Sequence, residues 1–169
     1  EANKIVTWQG KTHVAYLDSP PAGFRTRIRT LDHATGEWSP AYTIGEGYDN
    51  HGGPALAIDS RGYLHVAYYP HHHPMRLRKS VRPNDASERG AVEAVGERLT
   101  NPTLVVDAED TLYLTCRQSA SDAPWRANLY TKKAGGSWSA PRAILQAEQK
   151  GYAHFMDALA WSPDKQYLH

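Results

Sequence analysis

The sequence has one cysteine, no long apolar run and almost no net charge. Cys116 is the only cysteine among 169 residues, which excludes a disulfide framework within the chain. No apolar run approaches the roughly 18 residues that are needed to cross a bilayer, so we expect no membrane partner. The net charge is +1, and no aromatic platform is interleaved with the basic residues, so we expect no nucleic-acid partner either.

Aromatic and turn-forming residues, by contrast, are plentiful. The chain contains ten tyrosines, five tryptophans, 13 glycines and 11 prolines. This composition suits short strands joined by turns better than it suits helices. The first residue is Glu1 and no signal peptide is recognisable, so we expect an N-terminus that has been processed or trimmed.

One block of sequence recurs along the chain. Residues 54–69 read PALAIDSRGYLHVAYY, and residues 102–117 read PTLVVDAEDTLYLTCR. Residues 158–169 begin the pattern again with one inserted residue, and residues 11–18 hold an earlier copy of its second half. Repeats spaced by roughly 40–55 residues are typical of propellers and arrays, because one unit cannot bury its own apolar face.

Each repeat is predicted to form a four-stranded antiparallel blade. The two strands of the block precede a strongly alternating strand, as at 25–31, and then a strand that begins at Gly-x-Trp-Ser, as at 134–144. We therefore predict an all-β protein in which residues 1–169 are a β-propeller fragment of about three and a half blades, from a longer propeller of about seven blades. The predicted blades are 4–44, 54–98, 102–145 and the start of a fourth at 157–169.

The blade geometry gathers polar residues at one end of the predicted channel, which we call the mouth. The first strand of a blade lines the channel and the second runs back, so the residues before the first strand and after the second share one face. The predicted catalytic residues there are His51, His71, Arg117 and Tyr152, and the predicted substrate-binding residues are Asn50, Tyr69, His72, Asn101 and His154.

Other histidines have a structural interpretation. His13, His65 and His169 occupy one repeat position, shared with Tyr113, which favours a structural role. Adjacent histidines on a strand point to opposite faces, so the run at 71–73 is a poor chelate, and we predict neither a metal site nor a cofactor. Arg117 ends an otherwise apolar strand, and a buried arginine is unfavourable unless it is paired, which predicts anion binding.

The residue types fit an elimination better than a hydrolysis. Glycoside hydrolysis usually needs two carboxylates, and the predicted mouth offers only Asp49 and Asp157. Elimination from a uronic-acid polymer instead needs a cation on the sugar carboxylate, a base for the C5 proton and an acid for the leaving oxygen. Histidine, arginine and tyrosine can supply these roles.

The stretch YDNHGGPALAIDSRGYLHVAYYPHHHPMRLRKS at 48–80 resembles the BNR-repeat family that includes the propeller-type ulvan lyases, and 100–117 and 151–169 resemble its next two blades. The resemblance implies that His51 and His71 take paired histidine roles, that Arg117 holds the substrate carboxylate and that Tyr152 is a second acid or ligand. Where these lyases carry a Tyr-Pro pair ahead of the arginine, this chain has Asn101-Pro102. We further expect a secreted or periplasmic protein, monomeric at full length, whose partner is an acidic polysaccharide.

Two alternatives stay open. A non-catalytic carbohydrate-binding propeller would use the same mouth, with Tyr48, Tyr69, Trp125 and Tyr152 stacking on sugar faces, and Asn101 favours it. A sialidase-like glycoside hydrolase is the other, because Gly-x-Trp-Ser resembles the Asp-box turn of sialidase propellers. That enzyme would need an arginine triad, and only Arg117 is suitably placed.

Overall fold

The computed structural model describes residues 3–164 and 166–169. The regular elements of this described part are antiparallel β-strands, which confirms the all-β prediction. In chain order they are β1 (Ile5–Trp8), β2 (Lys11–Asp18), β3 (Arg25–Asp32), β4 (Tyr42–Glu46), β5 (Ala55–Ile58), β6 (Leu64–Tyr68), β7 (His73–Lys79), β8 (Glu93–Val106), β9 (Leu112–Gln118), β10 (Pro124–Lys132) and β11 (Arg142–Lys150). No helix long and apolar enough to cross a membrane occurs among the described residues.

The first sheet contains β1 to β4 in chain order. Strands β2 and β3 pair without interruption from Lys11 opposite Asp32 to Asp18 opposite Arg25. Alternation along these strands buries Ala15 and Ile28 and leaves their neighbours on the other face. This sheet has the strand order of a propeller blade.

The second sheet contains seven strands in the order β11-β10-β9-β8-β7-β6-β5. Strand β8 is 14 residues long and belongs to two four-stranded units at once. Strand β7 pairs with it up to His73 opposite Leu99, and β9 pairs with it at Leu99 and Thr100 and again from Thr103 onward. The register of the β8–β9 pair shifts between Thr100 and Thr103, where Asn101 has a positive φ of 55°. The division of the chain into blades at 54–98 and 102–145 remains a prediction, but one continuous strand crosses that boundary.

Two apolar clusters hold the strands together. One lies within the second sheet and includes Leu77, Leu99, Leu104, Leu114 and Tyr130. The other joins the two sheets, because Ile28 and Ile44 of the first pack with Leu56, Val66 and Tyr68 of the second. Its members are nearly inaccessible to solvent, so the two sheets share one core.

The residues at the repeat position shared by His13, His65 and Tyr113 make hydrogen bonds inside the structure. His13 is fully buried, with its ring nitrogens 2.8 Å from the Thr30 hydroxyl and 2.8 Å from Oδ1 of Asn84. His65 contacts Asp59, and Tyr113 donates to Asp107 at 2.9 Å. These contacts agree with the structural role predicted for that position.

Residues 157–164 and 166–169, predicted to begin a fourth blade, form no strand. Their backbone makes an isolated antiparallel bridge between Trp161 and Leu168. A blade needs several paired strands, and none of the described residues supplies a further partner here. Thr103 and Asn3 donate to the backbone oxygens of Asp157 and Leu159 and hold this segment against the rest of the protein.

Candidate functional site

A cavity of about 240 Å³ opens at the predicted mouth. It lies where β8 changes register, beside the end of β9 and the segment that follows β11. The residues that line it are Lys4, Asn50, His51, Gly53, Asn101, Pro102, Thr103, Arg117, Tyr152, His154, Met156 and Asp157. The cavity therefore brings together six of the nine predicted site residues: Asn50, His51, Asn101, Arg117, Tyr152 and His154.

Asp49 holds the two predicted histidines together. Nδ1 of His71 donates to Oδ2 of Asp49 at 2.5 Å, and Nδ1 of His51 lies 3.3 Å from Oδ1. The rings of His51 and His71 stack with their centres 4.2 Å apart. Burial acts to raise the pKa of Asp49, but the hydrogen bonds from His71 and from the backbone of His51 outweigh it and hold that pKa below its usual value. Asp49 is thus an anion between two imidazoles.

The loop that carries Asp49 and His51 is shaped by a close backbone approach. A Cβ on Gly52 would lie 2.8 Å from the carbonyl oxygen of Tyr69, so only glycine fits there. The backbone N–H of Tyr48 also donates to that oxygen, at 3.1 Å. The Asp49 carboxylate accepts the N–H of His51 at 2.8 Å, which closes the turn. This loop places His51 over His71.

The histidine run does not alternate as expected of a strand. Strand β7 begins only at His73, and His72 before it has a positive φ of 61°. The rings of His71 and His72 therefore stack 4.3 Å apart, whereas His73 turns toward Tyr48. The expectation of alternating directions along 71–73 was wrong, because the backbone turns there.

His72 is held in place by a serine that sequence reasoning did not single out. Its Nδ1 hydrogen-bonds with the Ser119 hydroxyl at 2.6 Å. Burial lowers the pKa of His72, and the nearby His71 and Arg117 lower it further. This ring is therefore neutral close to neutral pH.

Arg117 is buried at the end of β9, with only 2% of its surface exposed. Its Nη1 donates to the Tyr152 hydroxyl at 3.3 Å, and its guanidinium carbon lies 5.0 Å from the ring centre of Trp125. Nε has no hydrogen-bond partner, and no described carboxylate makes an ion pair with this arginine. An aromatic ring compensates a buried cation only in part, so Arg117 is prepared to receive an anion.

Tyr152 connects Arg117 to His154. The tyrosine is 71% exposed, and its ring packs on Trp125 with the centres 5.0 Å apart. Its hydroxyl accepts from Arg117 and lies 3.2 Å from Nδ1 of His154. The hydroxyl thus links Arg117 to His154 at the cavity.

Three predicted residues lie beside the cavity and do not line it. His71 and His72 reach it through the stack on His51. The ring of Tyr69 packs against Tyr48, and Arg76 lies over it with its guanidinium carbon 3.5 Å from the ring centre. Tyr69 therefore packs against the loop of His51 and does not line this cavity.

Sequence reasoning missed the role of Asp49 and did not weigh Asp157 beyond counting carboxylates. Both carboxylate oxygens of Asp157 are buried at the cavity without a hydrogen-bond partner. A signal for Asp49 was available, because an aspartate two residues before a histidine in a Gly-rich loop is typical of a turn that accepts the histidine's N–H.

A second cavity of about 260 Å³ lies at the opposite ends of β7 and β10. Its charged side chains are mostly paired with one another: Lys79 contacts Asp59 at 3.3 Å, and Lys132 contacts Glu93 at 2.5 Å. Trp138 also donates to Glu93. These charges are already satisfied, so this cavity is a weaker candidate than the mouth.

The strand order and the site at one end of the strands place this protein in the class of propeller-type domains. Residues 8–167 match the BNR repeat-containing family. The chain belongs to that family.

Relatives of known activity cover nearly the whole chain. It is 25% identical over 182 residues to an ulvan lyase from Pseudoalteromonas sp. (strain PLSV), and 24% identical over 180 residues to an ulvan lyase from Alteromonas sp. (strain LOR), each covering 90% of this chain. The chain spans 36% of the length of these curated relatives.

The fold also matches a solved structure. The structure of an ulvan lyase of family PL25 bound to -[GlcA(1-4)Rha3S]- has a TM-score of 0.69 and 20% identity, over 98% of this chain and 40% of that chain. This likeness confirms the propeller-type fold predicted from the repeat.

Proposed function

We propose that this chain carries part of the active site of a polysaccharide lyase, which cleaves a uronic-acid-containing, ulvan-like polymer by β-elimination. The observation that carries the proposal is Arg117, a buried cation without a carboxylate partner, in one cavity with His51 and Tyr152. The similarity to ulvan lyases supports the same reaction. We expect the protein to be secreted or periplasmic, since such a polymer lies outside the cell.

Arg117 binds the substrate carboxylate in this mechanism. Neutralising that charge makes the proton on C5 more acidic, because the carbanion formed there delocalises into the carboxylate. The guanidinium offers only hydrogen-bond donors and a positive charge, so it acts as an electrostatic and hydrogen-bonding group. Trp125 and Tyr152 fix the plane of the guanidinium.

His51 removes the C5 proton. It lines the cavity, and its Nδ1 faces Asp49, which leaves Nε2 to accept the proton. The electron pair of the C5–H bond forms the C4–C5 double bond, and the C4–O bond breaks. Asp49 stabilises the imidazolium that forms, as a carboxylate does when it holds the far nitrogen of a catalytic histidine.

Tyr152 returns a proton to the leaving oxygen. Its hydroxyl contacts Arg117 and His154, so it can pass on its proton and be reprotonated through His154. This route compensates for Asn101, which cannot act as an acid where ulvan lyases are expected to have a tyrosine. The elimination is then balanced: one proton leaves C5 and one reaches the released sugar.

A carbohydrate-binding propeller without activity is the second candidate. Asn101 favours it, together with the aromatic surface that Trp125 and Tyr152 form at the cavity. A sialidase-like hydrolase is not favoured, since Arg117 is the only arginine among the described residues that line the cavity.

The test is the ultraviolet absorbance of the unsaturated uronate product. The full-length protein is incubated with ulvan and with other uronate polymers, beside the variants His51→Ala and Arg117→Ala. A rise in absorbance that both substitutions reduce by at least about 10²-fold is the expected result. The matched control is His33→Ala, because this histidine is exposed and does not line the cavity. Binding without any rise would establish the carbohydrate-binding alternative.

A further inference from the structure

Beyond the pairing of a base with its carboxylate, this site contains three possible metal ligands: Asp49, His51 and His71. One ligand atom from each of the three side chains lies within 4.8 Å of the other two. Both histidines direct Nδ1 toward the same carboxylate. Two imidazole nitrogens and one carboxylate oxygen that converge in this way are a ligand set for a transition-metal ion.

We propose that these three residues bind a divalent transition metal of the zinc type. Ligand atoms on a tetrahedral zinc ion, each about 2.0–2.2 Å from the metal, lie about 3.3 Å from one another. The 3.3 Å between Nδ1 of His51 and Asp49 already matches that spacing. Nδ1 of His71 must move away from Asp49, since it now lies at 2.5 Å. The metal replaces the proton that His71 donates to Asp49. That proton passes to solvent and Nε2 of the same ring takes one up, so the imidazole stays neutral.

The surroundings favour a small shift of this kind. Half of the His51 side chain is exposed, at 51%, so its ring can turn in place. The backbone N–H of His51 orients the Asp49 carboxylate, and the ring of His72 supports the other face of His71. Such neighbours keep metal ligands aligned.

The ligand types decide which ions fit. Imidazole nitrogens suit zinc, copper and nickel, whereas calcium and magnesium prefer oxygen ligands and a larger coordination number. The three side chains leave a fourth position on the ion, which His51 places on the cavity side. Water or an oxygen of a bound sugar would fill it.

This site has a regulatory consequence, which alone rests on the proposed lyase function. An imidazole that binds a metal through Nδ1 carries its proton on Nε2. His51 then cannot accept the C5 proton, so a bound metal stops the elimination and a chelator restores it. Metal binding by these three residues and proton abstraction by His51 would thus exclude one another.

The test measures metal binding directly. The full-length protein is freed of metal with a chelator and titrated with zinc chloride by calorimetry, and cobalt(II) provides an absorption spectrum of the site. We expect the wild type to bind one equivalent more than Asp49→Asn or His51→Ala, or to bind that equivalent at least about tenfold more tightly. Excess calcium should not displace it. His33→Ala is the control for exposed histidines, and its titration should equal that of the wild type.

Equal binding by the wild type and both site variants overturns the metal site, as does displacement of the metal by calcium. Neither residue belongs to the buried core, and Asp49→Asn keeps an oxygen that can accept the N–H of His51, so we expect both variants to fold. Zinc bound elsewhere in a longer chain would appear in every variant and cancel in the difference. A protein that binds the metal at this site but shows no elimination activity in its metal-free form would overturn the lyase proposal and leave this one standing.

Discussion

At the scale of the residue, Arg117 is the clearest sign of function, because its position is unfavourable for the fold. It is buried beside Trp125 and Tyr152, and no described carboxylate makes an ion pair with it. Arg27 in the first sheet offers the contrast: it is also shielded, but it contacts Asp18 at 3.3 Å. A structural arginine has its counter-charge in the folded chain, whereas a binding arginine receives it from the ligand.

Replacing Arg117 should therefore separate activity from stability. We expect Arg117→Met to abolish elimination while the free energy of unfolding stays the same or rises by about 1 kcal/mol, since an apolar side chain of similar length removes an unpaired buried charge. Arg27→Met removes one of the two arginines that contact Asp18, and with it the hydrogen bond to the Ala41 carbonyl oxygen, so it should lower the free energy of unfolding. Urea denaturation of both variants checks this. A destabilised Arg117→Met protein would show that this arginine is structural.

His13 should make the fold sensitive to acid. Burial lowers its pKa from the ordinary value of 6.5, with the hydrogen bond to Asn84 opposing that effect. The unfolded chain therefore binds more protons than the folded chain below that value, and the free energy of unfolding should fall as the pH drops from about 7 to about 5. His65 contributes with the same sign, because burial lowers its pKa too.

The measurement is urea denaturation at both ends of that pH range. His13→Gln keeps a hydrogen-bonding side chain that does not titrate, so the loss of stability on acidification should be smaller than in the wild type. His33→Gln, at an exposed position, should retain the full loss. An unchanged pH dependence in His13→Gln would assign the acid sensitivity to other groups.

At the scale of the element, β8 links the structure of the sheet to the site. It pairs with β7 and with β9, and the change of register between Thr100 and Thr103 turns Asn101 and Pro102 toward the cavity. The sequence predicted a break at this point, since the repeat starts again at 102. It did not predict a continuous strand, because residues 83–98 lack the Gly-x-Trp-Ser motif that marks the outer strand elsewhere.

Asn101 is suited to the bend by its backbone conformation. Its φ of 55° lies in the left-handed region, which asparagine tolerates better than alanine and glycine adopts freely. We expect Asn101→Ala to lower the free energy of unfolding by about 1 kcal/mol and Asn101→Gly to leave it within about 0.5 kcal/mol. Urea denaturation distinguishes them. Equal losses in the two variants would point to the lost amide side chain and not to the backbone.

At the scale of the whole molecule, the repeat was enough to predict the fold and the end of the strands where the site lies. It gathered His51, Arg117 and Tyr152 from distant parts of the chain, because equivalent positions of a repeat share a face. It could not predict the contact between Asp49 and His71, which depends on the positive φ values of Tyr69 and His72. Such backbone turns leave no periodic trace in the sequence.

The shared core makes the two sheets one cooperative unit. Leu56 of β5 is fully buried among Ile28 and Ile44 of the first sheet and Val66 of the second. We expect Leu56→Ala to lower the free energy of unfolding by about 2–5 kcal/mol, because it leaves a cavity between the sheets. Amides in β2 and in β6 should then lose hydrogen-exchange protection together. Leu145→Ala, at a position that is 53% exposed, should change the free energy by no more than about 0.5 kcal/mol. Protection lost in β6 but kept in β2 would mean that the first sheet is stable without the second, and that the loop of Asp49 and His51 joins two separately folding units.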